Sequence, residues 1–136
     1  MPEYSQQQVD YAKYRLERSQ EDLQCAEKLF DDGHFRAANN RAYYAIFHAM
    51  RAVNVLDEFD SSKHSGVIAH FNQYHVKTGD FDKRASKIIQ NAMEMREHAD
   101  YEDFFVASKK DAEEQICRAE EFLECVKGYL ERKKVI

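Results

Sequence analysis

Apolar residues in this chain recur at helical spacings of three, four and seven, and the recurrences are punctuated by helix start and stop signals. Val9, Ala12, Leu16, Leu23, Ala26, Leu29 and Phe30 trace one stripe. The S-Q-Q-Q beginning at Ser5 offers a capping box and Gly33 a stop, so a first helix is predicted from near Ser5 to about Asp32. A second is predicted from about Phe35 to Leu56, before the turn-prone D-E-F-D-S-S. Its core face carries Ala42, Ala45, Ile46, Ala49, Ala52, Val53 and Leu56. Alanines 38, 42, 45, 49 and 52 form a ridge that lets another helix approach closely.

A short third helix is predicted from about His64 to Val76, ahead of K-T-G-D, and a fourth from about Phe81 to Ala99. The connection D-Y-E-D-F-F-V-A-S then leads to Ser108, which with Asp111 makes a second capping signature. A fifth helix follows to about Arg132, with Ala112, Ile116, Ala119, Phe122, Leu123, Val126 and Leu130 as its stripe. Four long helices and one short one, joined by brief loops, predict an all-α fold, an antiparallel up-and-down bundle in one domain spanning 1–136.

Composition agrees: one proline, four glycines and 43% hydrophobic residues suit a helical domain of modest core. A net charge of -5 excludes a broad basic surface for nonspecific duplex binding, so any nucleic-acid contact must be local. The chain has no apolar run of about 18 residues and a polar amino terminus, which predicts a cytoplasmic protein without a membrane partner. Cys25, Cys117 and Cys125 lack metal-ligand spacing and are expected to be buried free thiols.

The second helix also carries chemistry. Arg41 and His48 are seven positions apart, two turns less about 20°, so they share one flank with Tyr44 between them. Along the axis they are about 10 Å apart, too far to meet easily within one helix. A two-fold dimer can bring Arg41 of each copy to His48 of the other. An imidazole that moves the proton of a 2′-hydroxyl, beside a guanidinium that holds the phosphate, suits RNA cleavage without a metal. The alternative is a buried polar network in which Arg41 pairs with a carboxylate.

Elsewhere, S-K-H-S-G places Lys63 and His64 at a helix start, where a phosphate can dock or an ordinary cap can sit. Arg96 and Asp100 are spaced for an intrahelical ion pair, with Tyr101 following. His34, His70, His75 and His98 would ligate a metal only if the fold gathered them, and their spacing gives no sign of it, so no metal or cofactor is expected.

The segment N-N-R-A-Y-Y-A-I-F-H-A-M resembles the HEPN domain (higher eukaryotes and prokaryotes nucleotide-binding), in particular its small stand-alone prokaryotic members. D-D-G-H-F-R-A-A-N-N, S-S-K-H-S-G-V-I-A-H-F and M-R-E-H-A-D-Y agree in order, and the resemblance covers roughly Leu16 to Leu130. It implies that Arg41 and His48, with six residues between them, form the active site of a metal-independent endoribonuclease at a homodimer interface. Asn40, Tyr44, Lys63, His64, Arg96, Asp100 and Tyr101 then bind RNA or support the site. It further implies a toxin paired with a minimal nucleotidyltransferase antitoxin. Two departures from the family pattern are Ala42 directly after the arginine and Met50 two places after the histidine, where some antitoxins modify a tyrosine. The competing expectation is a non-catalytic module that holds a nucleotidyltransferase partner or a nucleotide through Arg41 and His48.

Overall fold

The computed structural model describes residues 3–102 and 105–136. α1 runs Gln6–Asp31. Its start is the predicted capping box: Gln8 N donates to Ser5 Oγ (3.1 Å) and Ser5 N to Gln8 Oε1 (2.8 Å). Gly33, at φ 81°, supplies the left-handed turn into α2 (Phe35–Asn54). A single 3₁₀ turn, Val55–Asp57, ends that helix. α3 (His64–Phe71) widens into a π-helical turn, Asn72–Val76, which Lys77 N closes onto Asn72 O at 2.9 Å. α4 (Lys83–Tyr101) and α5 (Lys109–Arg132) complete the bundle. Among the described residues there is no strand, and the fold is an all-α helical bundle.

α2 is its axis, packed by α1, α5, α4 and α3. The paired residues Gln8–Leu56, Ser19–Ala45 and Asp22–Arg41 climb one helix while descending the other, which makes α1 and α2 an antiparallel hairpin. The alanine ridge does what its small side chains predict: Ala38, Ala42, Ala45, Ala49 and Ala52 are fully buried, and Ser19 Oγ of α1 donates to Ala45 O at 2.6 Å. The partner helix at that ridge is α1 of the same chain. From Ala38 to Asn54, the α2 residues that keep some exposure are Asn40, Arg41, Tyr44 and Arg51. Tyr43, Ile46, Met50, Phe71 and Phe122 fill the core, each worth about 1.5–3 kcal/mol of burial.

Three details differ from the sequence reading. α4 starts at Lys83 because Asp82 caps it, accepting from Arg84 N at 2.9 Å, while Phe81 turns into the core against Phe71 and Tyr129. α4 continues past Ala99 to Tyr101, so Asp100 and Tyr101 stand on its last turn; Asp103 and Phe104 of the expected connection lie outside the described residues. The three cysteines are exposed free thiols rather than buried ones. Each is one residue out of phase with a core position (Ala26, Ile116 and Val126), which on a helix is a turn of about 100° toward solvent. No described helix is long and apolar enough to cross a membrane.

Candidate functional site

Arg41 and His48 meet within one chain, through a carboxylate on the neighbouring helix. Close packing at the alanine ridge brings Asp22 of α1 against the α2 flank. Its Oδ1 lies 3.3 Å from Arg41 Nη1 and its Oδ2 3.6 Å from His48 Nε2. The alternative reading of a buried polar network thus has its carboxylate. The two cationic groups differ in access: the Arg41 side chain is 37% exposed, whereas His48 is 8% exposed.

The cluster extends into α4. Arg41 lies over the Tyr44 ring at 4.8 Å and donates from Nη2 to Asn40 Oδ1 at 3.0 Å. Asn40 Nδ2 donates to Asp100 Oδ2 at 2.9 Å, and that carboxylate forms the expected pair with Arg96, 3.5 Å from its Nε. Arg96 in turn donates from Nη2 to the hydroxyls of Tyr44 (3.5 Å) and Tyr101 (3.3 Å) and lies over the rings of Tyr43, Tyr44 and Tyr101. Asn40, Arg41, Tyr44, His48, Arg96, Asp100 and Tyr101 therefore belong to one network joining α1, α2 and α4.

Lys63 and His64 divide. The His64 ring stacks on Phe47 at 4.1 Å, with Nδ1 2.9 Å from Tyr43 Oη, and burial holds its pKa below the usual imidazole range. Lys63 is exposed, and its N–H donates to Ser61 Oγ at 3.1 Å, an ordinary turn at the helix start.

Electrostatics set the protonation of the central pair. Burial lowers the pKa of His48 to about 4, and Arg18, Arg15, Arg51 and Arg41 add to the effect. This favours the neutral ring at pH 7, with a lone pair to accept a proton though as a weaker base than an ordinary imidazole. Burial pushes the Asp22 carboxyl up, against the pull of Arg41 and Arg18. His48 Nδ1 and Asp22 Oδ2 are buried without hydrogen-bond partners, an arrangement that keeps polar capacity in reserve. Arg15, Arg18 and Arg51 were absent from the sequence candidates, although Arg15, Arg18 and Asp22 follow at i, i+3 and i+7 and so share one face of α1. Arg15 and Arg51 are held by Asp60, the latter by two bonds of 2.9 and 2.8 Å, while Arg18 donates to Tyr14 Oη at 3.1 Å. A neutral imidazole on the same flank as the partly exposed Arg41 guanidinium can hold a phosphodiester and move a proton at the same place.

Comparison with known proteins matches most of the chain. A UPF0332 protein of Thermotoga maritima is 33% identical, over 90% of this chain and 92% of its own. From Methanocaldococcus jannaschii, "Putative toxin MJ0142" is 29% identical (89% of this chain, 82% of that one) and "Putative toxin MJ0605" is 35% identical (85% of each). The HEPN domain profile matches residues 12–129, which takes in Asp22, the whole of α2 and the Arg96 network, and the chain belongs to the HEPN domain family.

Proposed function

We propose that this protein is a toxin-like endoribonuclease whose cleavage step uses no metal, with His48 as the proton-transfer residue and Arg41 as the phosphate clamp. The observation that supports it most is that Arg41, 37% exposed, and His48 are both set against Asp22 on one flank of a chain whose net charge is -5. His48 takes the proton of a 2′-hydroxyl, the alkoxide attacks the adjacent phosphorus, and the bond to the 5′-oxygen breaks; the leaving oxygen recovers the proton. A cyclic phosphate and a 5′-hydroxyl result, and DNA, without the 2′-hydroxyl, is not cleaved. Two copies complete the site by bringing their exposed α1–α2 flanks together, so that Arg41 of each serves phosphate at the other's His48. The relatives named "Putative toxin" support an antitoxin partner, and the family resemblance makes it one of the nucleotidyltransferase class. Met50 has no hydroxyl to modify and is fully buried, so that partner acts by binding and not by modifying this position.

Incubation of labelled RNA with purified protein in chelator tests the reading. Wild type cleaves, and Arg41→Ala and His48→Ala lose about 100-fold or more while keeping helical content and oligomeric size. A wild-type protein that cleaves no RNA and is harmless when overproduced ends it. A second reading, a non-catalytic module for a nucleotidyltransferase or a nucleotide, is favoured by the burial of His48 and by Asp22 already lying against both cationic groups. It is selected if cleavage is absent while partner or nucleotide binding is present and is lost in Arg41→Ala.

A further inference from the structure

Beyond the far end of α2, two histidines whose spacing gave no sign of pairing converge on one carboxylate. His70 Nε2 lies 2.9 Å and His75 Nε2 2.6 Å from Asp57 Oδ2, and the three ligand atoms all lie within 4.8 Å of one another. Among the described residues this is the one group of three or more His, Cys, Asp or Glu side chains so placed. The π-helical turn Asn72–Val76 is the cause. On a regular α-helix, positions five apart point about 140° from each other; the wider turn rotates His75 back toward the face of His70.

We propose that Asp57, His70 and His75 bind one divalent transition-metal ion of the zinc class, with Asp80 orienting His75. The chemistry of the donor set carries this. His75, 3% exposed, has a carboxylate oxygen at each ring nitrogen: Asp57 at Nε2 and Asp80 Oδ2 3.2 Å from Nδ1. An imidazolium satisfies both by donating from each nitrogen, and so does a neutral ring with an ion at Nε2: Nδ1–H donates to Asp80 while the Nε2 lone pair ligates, the arrangement in which carboxylates fix ligating histidines. Tetrahedral zinc places its N and O ligand atoms about 3.4 Å apart, so the exposed Asp57 oxygen draws back from both rings to admit the ion. Phe59 stacked on His70 at 4.1 Å and Tyr129 set edge-on to His75 at 5.6 Å hold the rings. Two imidazoles and one carboxylate leave a fourth position open. Asp57 lies nine residues after His48, on the order of 13 Å along the axis, so this site is separate from the Arg41–His48 cluster and does not rest on the ribonuclease reading.

The test is calorimetric titration of the full chain with zinc chloride after chelator treatment, with the exposed Cys25, Cys117 and Cys125 changed to serine so that thiols do not compete. One ion per chain is expected, and cobalt(II) in place of zinc should give the visible absorption of a tetrahedral nitrogen–oxygen site. Asp57→Asn and His70→Ala, both outside the deepest core, weaken binding at least about tenfold, and Asp80→Asn about tenfold through the orientation of His75. His98→Ala, on an exposed ring paired with Glu102, leaves it unchanged. Circular dichroism confirms that each variant is folded. The proposal is overturned if no saturable binding occurs, or if folded Asp57→Asn and His70→Ala bind zinc as tightly as their parent, in which case Asp57 serves only to accept from the two rings.

Discussion

His48 and His75 are both buried, and each lies against an aspartate, yet they stand in opposite fields. Around His48 burial, reinforced by Arg18, Arg15, Arg51 and Arg41, holds the ring neutral, with Asp22 against it and Asp60 pairing Arg15 and Arg51. Around His75 two carboxylates, Asp57 and Asp80, address both nitrogens, and a second imidazole shares the first of them. The same side chain thus faces an anion-attracting cluster in the middle of α2 and a cation-attracting cluster beyond its end. Burial alone does not distinguish them; the sign of the groups brought in by neighbouring elements does.

The largest effect that would sharpen this contrast is acid destabilisation through His48. Its pKa falls from 6.5 to about 4 on folding, so below pH 6.5 the unfolded chain takes up a proton that the folded chain refuses. Stability should therefore decline as pH drops from 6.5 to about 4, by at most about 3 kcal/mol from this group. Asp22, raised by burial, works in the opposite sense and is kept constant by comparing wild type with His48→Gln. Urea midpoints measured across that range should converge for the two proteins at low pH and separate at neutral pH. Parallel curves would mean that burial and the nearby arginines do not hold His48 neutral.

Chelator should act at the other cluster and leave the first alone. Stripping the ion from the Asp57–His70–His75 site is expected to lower the thermal midpoint by about 5 °C, because an ion that binds only the folded chain stabilises it in proportion to its affinity. The rate of RNA cleavage should not change. If chelator abolished cleavage with the protein still folded, the two clusters would be one functional unit and the contrast would fail.

What could be read in advance divides along physical lines. Helix starts at Ser5 and Ser108 and the stop at Gly33 were legible because caps are local chemistry, and the flank of Arg41, Tyr44 and His48 because it needs only helical phase. The Arg96–Asp100 pair was legible for the same reason. Asp22 was not, since its role exists only once the alanine ridge seats α1 on α2. The convergence of His70 and His75 was hidden more deeply: it depends on a π turn that no residue in N-Q-Y-H-V announces. The cysteines were misjudged by a single residue of phase, which suffices to turn a helical side chain from core to solvent.

The smallest effect lies where the Arg41 cluster meets α4. Arg96 lies over three tyrosine rings at 5.0 to 5.6 Å, donates to two of their hydroxyls and is paired with Asp100, which also receives Asn40. A lysine keeps the charge but offers neither the flat face nor the fork of donors. Arg96→Lys should therefore cost about 1 kcal/mol in urea unfolding, and less than tenfold in RNA cleavage, because Asn40 and Asp22 still hold Arg41. A larger loss of cleavage than of stability would move Arg96 from supporting the cluster to contacting RNA, and the anion-attracting region would then extend across α4 as well as α1 and α2.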